Sequence, residues 1–455
     1  MKKNHEQFKN FFHSVISIIL LLSQTAVFSY VWITRYNNYI VLPFVQRGNL
    51  FIYTIYIILL YLFMRAFDGL KFGRYHGLNL AIGQILACIA TAAVVYIQTV
   101  LMAAKFVTVK PLLAMLFFNA LICFSISFGG NYLLKLIFPA KKTVLVYDTY
   151  SPTAFIEKLS ARKDKFTVYD VVNIDVGLEK LEEIIKNAQA VIIYDVHSES
   201  RNKILKMCFE NNIRAYATTK VSDILIRSSE CLHLFDTPIL LYRNNGLTFE
   251  QRFFKRLTDI VVSVFMLIIT SPFLLISAIA IKLYDGGPVI FKQARSTLGG
   301  EVFYIHKFRS MIVDAEKDGV RPAESHDPRI TPVGKVLRAT RLDELPQLFD
   351  ILMGNMSLVG PRPERIEHVQ KYNEEIPEFQ YRLKVKGGLT GYAQIYGKYN
   401  TSAYDKLQLD LMYIQNYSYL LDIRLILMTL KIMFIMESTE GFKKEQSDKL
   451  KNDKK

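Results

Sequence analysis

Residues 260–283 read IVVSVFMLIITSPFLLISAIAIKL, and the fold turns on whether this run crosses a membrane. Its length suffices, because a helix needs about 17–25 predominantly apolar residues to span a hydrocarbon core. A crossing would carry the whole charge-rich remainder of the chain to the far side. Ser271 and Pro272 sit near the centre of the run. Proline removes one helical hydrogen bond and crowds the preceding turn, and a serine hydroxyl can take up a freed backbone group. The pair is therefore expected to break the helix, so that residues 260–283 enter one leaflet and return as a re-entrant helix, with a kinked spanning helix as the alternative.

Upstream lie four further apolar runs, roughly Ser14 to Trp32, Leu50 to Phe67, Leu78 to Leu101 and Leu112 to Phe138, each long enough to span. The first is not a cleavable signal, since no small-residue cleavage site follows it and three further runs do. Lys2, Lys3, Lys9, Arg65, Lys71, Arg74, Lys135, Lys141 and Lys142 border one side; Arg35, Arg47, Lys105 and Lys110 border the other. The positive-inside bias places the N-terminus, and everything after the fourth run, in the cytoplasm. Tyr30, Trp32, Tyr36 and Tyr39 form an aromatic belt at the outer end of the first span. With no ionisable residue inside the spans to mark a transport path, this quarter reads as an anchor or a partner surface.

The chain has 455 residues, 51% of them hydrophobic, and a formal net charge of +15. Such length calls for two or three domains. In a chain with long apolar runs, surplus positive charge points to anionic lipid and phosphorylated substrates rather than to nucleic acid. Cys88, Cys123, Cys208 and Cys231 are scattered without a CxxC spacing, and the eight histidines show no HExxH, so neither a disulfide framework nor a structural zinc site is expected.

From Thr143 the pattern becomes short β-rich runs separated by helical ones: TVLVYD, FTVYDVV, AVIIYD and IRAYAT. Alternation of this kind implies a parallel, doubly wound sheet. A dinucleotide site would need glycines after the first strand. Here Tyr147 to Pro152 follow it, and Gly177 is the only glycine between Lys141 and Asn245. The module is read as structural or assembly-forming rather than nucleotide-binding, ending at the turn Asn244, Asn245 and Gly246.

After the fifth run the sequence is dense with distinctive stretches: GPVIFKQAR from Gly287, EVFYIHKFRSM from Glu301, DPRITPVGKVLR from Asp327, LDELPQL from Leu342, NMSLVGPRPE from Asn355 and GLTGYAQIYG from Gly388. Asp343 and Glu344 are adjacent carboxylates, and adjacent acids at a helix start are often only a solvated first turn. Here they share about 110 residues with Lys307, Arg309, Arg338, Arg341 and Arg362. Arginine's planar fork suits phosphate oxygens, and a diphosphate needs several such partners. One carboxylate would serve as nucleophile on phosphorus and its neighbour as acid or base, and either would hold Mg²⁺.

In combination and in order, these stretches resemble the bacterial sugar transferases known as monotopic phosphoglycosyl transferases, most clearly from about Lys255 to Gly397. With four preceding spans and a degenerate α/β module, the chain looks like the large polyprenyl-phosphate members that initiate capsule or exopolysaccharide assembly. The resemblance implies a UDP-sugar donor, undecaprenyl phosphate as acceptor, Mg²⁺ as cofactor, Asp343 as nucleophile, Glu344 as its assistant, and Ser271–Pro272 as the break of a re-entrant helix. Two departures stand out: Gly387 replaces the proline common before GLTG, and Ser296 and Thr297 occupy a region where glycine is common.

The expected architecture is a membrane protein in a bacterial plasma membrane. It has a four-helix transmembrane bundle (1–140), a small Rossmann-like α/β module (141–246), and a C-terminal α/β catalytic domain (247–442) carrying the re-entrant helix at 260–283. An interfacial helix is expected at about 417–436, where Asp422, Arg424 and Lys431 argue against a span, and a lysine-rich tail at 443–455. Homo-oligomerisation stays open. Two other functions compete: a nucleotide-sugar oxidoreductase or epimerase built on the central module, and a catalytically idle scaffold for polysaccharide enzymes.

Overall fold

The computed structural model describes residues 8–160, 162–242, 246–315, 327–397 and 401–434. The lysine-rich tail and, in the expected boundary turn, Asn244 and Asn245 lie outside the described residues. The chain forms two compact units, Met1–Thr219 and Lys220–Lys455.

The first unit opens with four apolar helices, α1 (Lys9–Val31), α2 (Arg47–Ala66), α3 (Gly77–Ala103) and α4 (Lys110–Ile137). They coincide closely with the four apolar runs. With the long helix described below, five helices are long and apolar enough to cross a membrane, the make-up of a membrane protein. Several serine and threonine hydroxyls bond to carbonyls of their own helix, and some buried polar side chains pair between helices. Gln24 donates to Cys123 Sγ at 3.0 Å and accepts from Cys88 Sγ at 3.1 Å. Ser127 donates to Gln84 Oε1 at 2.9 Å, and Gln84 Nε2 reaches the Gly69 carbonyl at 2.8 Å.

The module follows as β1 (Lys141–Tyr147), α5 (Thr153–Ser160), β2 (Phe166–Asn173), α6 (Leu178–Lys186), β3 (Ala190–Tyr194), α7 (Ser198–Glu210) and β4 (Arg214–Ala217). Its sheet is parallel with strand order β2-β1-β3-β4, the doubly wound form that the alternation implied. Val144, Val146, Val191 and Ile193 pack against Leu181, Ile185 and Ile204 in its core. At the carboxyl end of the sheet, His197 Nδ1 lies 2.7 Å from Asp148 Oδ2. This contact joins the ends of β1 and β3 beside the turn into α5.

The second unit begins earlier than the sequence boundary at 246. Helix α8 (Val221–Arg227) and the antiparallel hairpin β5 (Glu230–Leu234) and β6 (Thr237–Leu241) fall within it. Ile224 is 3% exposed in a core shared with Phe303, Leu348, Val359 and Leu411, and Ser228 donates to Gln415 Oε1 at 3.0 Å. These contacts bridge nearly 200 positions of sequence and leave no local signature.

Helix α9 (Phe249–Asp285) is 37 residues long, about 55 Å at 1.5 Å per residue. A capping box starts it: Thr248 accepts from the Gln251 N–H while Gln251 Oε1 accepts from the Thr248 N–H. Gly286, with φ 71°, ends it. The expected interruption at Ser271–Pro272 takes a milder form, because the helix is continuous through Pro272. Proline deprives the Ile268 carbonyl of its i+4 donor, and Ser271 Oγ donates to that carbonyl at 2.8 Å. Both ends of the helix pack on the second unit. Toward the N-terminus, Lys255 pairs with Asp422 at 2.7 Å, Arg256 donates to the carbonyls of Ile351 and Leu352, and Asp259 accepts from Ser357 Oγ and the Leu358 N–H. Toward the C-terminus, Ile281 is buried with Phe308 and Leu337, and Asp285 pairs with Arg309. Between these anchorages Ile268, Phe273, Leu275 and Ile276 are all more than half exposed.

The remaining elements are β7 (Ile290–Ser296) paired antiparallel with β8 (Val302–Phe308), α10 (Pro332–Ala339), α11 (Gln347–Met353), β9 (Ser357–Val359), α12 (Ile366–Glu375), β10 (Gly388–Thr390) parallel to β9, α13 (Tyr392–Tyr396), α14 (Ala403–Gln415) and α15 (Tyr419–Met433). The sequence gives α15 charges that point to an interface, yet two of them face inward. Asp422 is 4% and Lys431 2% exposed, and Asp422 accepts from both Lys255 and Tyr413. Leu420, Leu430 and Met433 on α15 remain exposed.

Candidate active site

Asp343 and Glu344 lie on a single 3₁₀ turn, Leu342–Glu344, between α10 and α11. The chain is steered there in steps. Thr331 caps α10 by accepting from the Gly334 N–H at 2.9 Å, and Pro332 starts the helix. Gly334 is required because a Cβ there would lie 2.0 Å from the Ser310 carbonyl oxygen. Packed this tightly on the segment after β8, α10 ends at Ala339, and Arg341, with its left-handed backbone (φ 56°), turns the chain toward the two acids. Pro346 and the turns of α11 then fix their exit. Asp350 of α11 bonds back to β8, its carboxylate accepting from the His306 N–H at 2.9 Å and lying 2.6 Å from His306 Nδ1.

Three separate segments meet at Glu344. Lys307 from β8 reaches its Oε1 at 3.1 Å, and Arg362 from the turn after β9 reaches the same oxygen at 2.8 Å. Burial alone would raise the Glu344 carboxyl, but the charges and hydrogen bonds of Lys307 and Arg362 hold it well below the usual carboxylate range. Asp343 goes the other way. Burial and then the negative charge of Glu344 push its carboxyl above the ordinary value, although Lys307, Arg338 and Arg362 oppose the shift. Burial likewise lowers the Lys307 ammonium. Adjacent carboxylates thus acquire different characters: Glu344 is a fixed anion locked between two cations, and Asp343 is the more basic group.

Of the cations singled out in the sequence, Lys307 and Arg362 touch the dyad and the charge of Arg338 reaches Asp343. Arg338 is itself positioned by donating Nε–H to Ser310 Oγ at 2.8 Å. Arg341 serves the turn through its backbone. Arg309 is held away from the dyad: its guanidinium forms a two-pronged pair with Asp285 and donates to the Pro288 carbonyl at 2.7 Å. It ties the C-terminal end of α9 to the strands.

Sequence reasoning passed over Arg295 and Glu364, although both lie in stretches quoted above. Arg295 donates to the Pro363 carbonyl at 2.9 Å and to Gln293 Oε1 at 2.6 Å, while its buried Nε has no partner among the described residues. Burial, reinforced by the nearby charge of Arg362, lowers its guanidinium to about 10. Glu364 is held below its ordinary value despite burial by Lys406, Arg382, Arg362 and Arg295. Together they form a second charged layer under Arg362, for which the density of Arg and Glu around GPRPE was the available signal.

The two departures noted in the sequence meet in space. The Gly387 N–H donates to Thr297 Oγ1 at 3.1 Å, and the same hydroxyl donates to the Asn355 carbonyl at 3.3 Å. A proline at 387 has no N–H to give. Threonine at 297 and glycine at 387 therefore act as a coupled pair behind the Pro361–Pro363 turn.

Among the described residues no group of three or more His, Cys, Asp or Glu side chains forms a metal cage. Asp343 and Glu344 offer two carboxylates. That number fits Mg²⁺ when substrate phosphates and water complete its octahedron, as is usual for this ion.

Comparison with known proteins matches the part of the chain that carries these residues. The profile of the bacterial sugar transferase family matches residues 250–436, which contain every residue of the site. A UDP-glucose:undecaprenyl-phosphate glucose-1-phosphate transferase of Klebsiella pneumoniae is 44% identical over 210 residues, covering 45% of this chain and 43% of the relative. A UDP-N-acetylgalactosamine-undecaprenyl-phosphate N-acetylgalactosaminephosphotransferase of Aeromonas hydrophila is 37% identical over 232 residues, 50% of this chain and 54% of the relative. An uncharacterized sugar transferase of Bacillus subtilis is 37% identical over 187 residues, 41% of this chain and 90% of the relative. The chain thus matches about half the length of the first two relatives and nearly all of the third.

Proposed function

Since the chain belongs to the bacterial sugar transferase family, we propose that it transfers a sugar 1-phosphate from a UDP-sugar to undecaprenyl phosphate, releasing UMP, with Asp343 as the group that bonds to phosphorus. The two substrates rest on the names of the relatives from Klebsiella and Aeromonas. The division of roles rests on one observation: Lys307 and Arg362 both bind Glu344, leaving the neighbouring Asp343 with the raised carboxyl.

In the first step an Asp343 oxygen attacks the β-phosphorus of the UDP-sugar. The bond from that phosphorus to the α–β bridging oxygen breaks, and UMP leaves with the electron pair. The sugar phosphate remains on Asp343 as an acyl phosphate. In the second step an oxygen of undecaprenyl phosphate attacks the same phosphorus, Asp343 departs as a carboxylate, and the lipid diphosphosugar forms. Neither step needs a proton taken from the attacking group once both attackers are ionised. Glu344 therefore acts as the anchor that aims Lys307 and Arg362 at developing phosphate charge, the kind of preorganised electrostatic stabilisation that phosphoryl transfer demands. The charge of Arg338 also acts on Asp343. Mg²⁺ would be held by Asp343 and Glu344 with phosphate oxygens of the donor, and when bound it neutralises part of the diphosphate charge.

The reaction is placed on the cytoplasmic face of a bacterial plasma membrane, as the first membrane step of capsule or exopolysaccharide synthesis. The distribution of lysine and arginine around α1–α4 supports that orientation, with these helices as a four-span bundle. Helix α9 enters and leaves the same leaflet. What supports this is the packing of both its ends on one unit, with an apolar, exposed stretch around Pro272 between them. Such a helix brings a lipid-borne acceptor sideways to the dyad. The test is UMP release from a panel of UDP-sugars with undecaprenyl phosphate and Mg²⁺, comparing the wild type with Asp343→Asn. Loss of release in the variant is expected, and an active variant refutes the assignment of the nucleophile.

A further inference from the structure

The first unit contains a cavity of about 1670 Å³ that takes no part in the chemistry above. Three membrane-helix segments line one side of it: the start of α1 with Lys9, the α2–α3 connection with Arg74, and the end of α4 with Lys135. The other side is the amino-terminal edge of the module's sheet, where Lys141 opens β1 and Arg214 opens β4. Among the described lining residues nine are lysine or arginine and the one carboxylate is Asp164; of the nine, Lys71 and Lys186 are paired with Asp68 and Glu182, which stand outside the lining.

That carboxylate does not neutralise the cavity, because Arg162 holds both of its oxygens at 3.0 Å. The same arginine donates to the Arg74 carbonyl at 2.9 Å, which fixes the sheet edge against the α2–α3 connection. Beside it Lys165 is half-buried, and its ammonium is lowered to about 8, first by burial and then by Arg162, with Arg74 and Lys9 adding to the effect and Asp164 opposing it. A concave site with so much charge of one sign concentrates anions and is relieved by binding one. Ammonium and guanidinium groups converging from several elements are the partners that phosphate oxygens take. The cavity is also on the wrong edge for a dinucleotide, which binds outside the carboxyl ends of the strands.

We propose that this cavity is a binding site for a phosphate-bearing anion, gripped between the membrane-helix ends and the amino-terminal edge of the sheet by Arg74, Lys135 and Lys165. The phosphate is carried either by a lipid headgroup entering from the leaflet or by a soluble molecule, and the chemistry of the grip is the same.

The experiment follows the reactivity of Lys165 toward an amine-directed reagent as a function of pH, by peptide mass spectrometry, on the full chain in nanodiscs. One arm uses phosphatidylcholine discs with inorganic pyrophosphate added; the other uses discs containing phosphatidylglycerol and no added phosphate. Anion binding favours the charged ammonium, so the labelling midpoint rises and reactivity near neutral pH falls, by about tenfold for each unit of rise. Protection by pyrophosphate assigns a soluble source, and protection in phosphatidylglycerol discs alone assigns a headgroup. The double variant Arg74→Gln/Lys135→Gln should lose most of the protection. Lys165 labelling unchanged in both arms overturns the proposal, as does protection that persists fully in the double variant. UMP release is not part of the readout, so the proposal stands or falls apart from the transferase reading.

Discussion

Replacing Glu344 by Gln removes the negative charge on which the site is arranged and leaves its shape nearly unchanged. In the structure one oxygen of Glu344 serves Lys307 at 3.1 Å and Arg362 at 2.8 Å. Removing one partner of a buried ion pair costs about 3–5 kcal/mol, because the other charge is left uncompensated. Lys307 is 18% exposed and Arg362 39%, so water recovers part of that, and a loss of about 2 kcal/mol is expected. For a unit of this size each kcal/mol corresponds to about 2–4 °C of melting temperature, which predicts a drop of about 4–8 °C for the full chain in detergent. The electrostatic consequence is more specific. Asp343 loses the neighbour that ranks second only to burial in raising its carboxyl, while Lys307 and Arg362 continue to pull it down. In the wild type, activity is lost as pH falls through the raised Asp343 value, because a protonated carboxyl cannot attack phosphorus. In Glu344→Gln that acidic limb moves to lower pH, and the plateau rate falls because the cations are no longer aimed. The measurement is kcat for UMP release across pH, paired with a thermal melt. An acidic limb that stays in place or moves upward refutes the coupling between the two carboxylates.

Other consequences are equally open to measurement. Ser271→Ala strips the Ile268 carbonyl of its substitute donor and should lower stability by about 1 kcal/mol, whereas adding Pro272→Ala restores the backbone bond and recovers it. Single cysteines placed at Glu250 and at Leu283 should both be labelled from the cytoplasmic side; labelling of the second only from outside makes α9 a spanning helix. Lys255→Met leaves Asp422 buried with Tyr413 as its side-chain partner among the described residues and should cost about 3–5 kcal/mol in a thermal melt, with Lys255→Met/Asp422→Leu substantially recovering. Gly387→Pro should destabilise the wild type more than a Thr297→Gly background, with a coupling of at least about 0.5 kcal/mol; additive effects would contradict the shared hydrogen bond.

The parts of this molecule that were legible in sequence are those governed by local periodicity. Four apolar runs became α1–α4 within a few residues, and the alternation after Thr143 became a parallel sheet. The dyad was legible because both acids are adjacent in the chain, and Lys307 and Arg362 because they stand in compact, distinctive stretches. Arg309 shows where such reading ends. KFRSM gives Lys307 and Arg309 equal claim on phosphate, but along β8 only Lys307 reaches Glu344, while Arg309 just past the strand end meets Asp285. The inward charges of α15 were misleading for the same reason, since Asp422 answers to Lys255, 167 positions away. Ile224 likewise joined the second unit through long-range packing that no turn signal between 220 and 246 reveals. The link between Gly387 and Thr297 was visible only as two separate departures until the fold placed them 3.1 Å apart.

The central claim is that Asp343 bonds to phosphorus, and its most direct test is the mass of the enzyme caught between the two steps. The full chain, incubated with UDP-glucose, UDP-galactose or UDP-N-acetylgalactosamine in the absence of undecaprenyl phosphate, should release UMP stoichiometrically with one donor. It should then carry the mass of one phosphosugar on the peptide containing Asp343, discharged when undecaprenyl phosphate is added. UMP release that needs the acceptor from the start, or an adduct on any residue other than Asp343, would contradict the account.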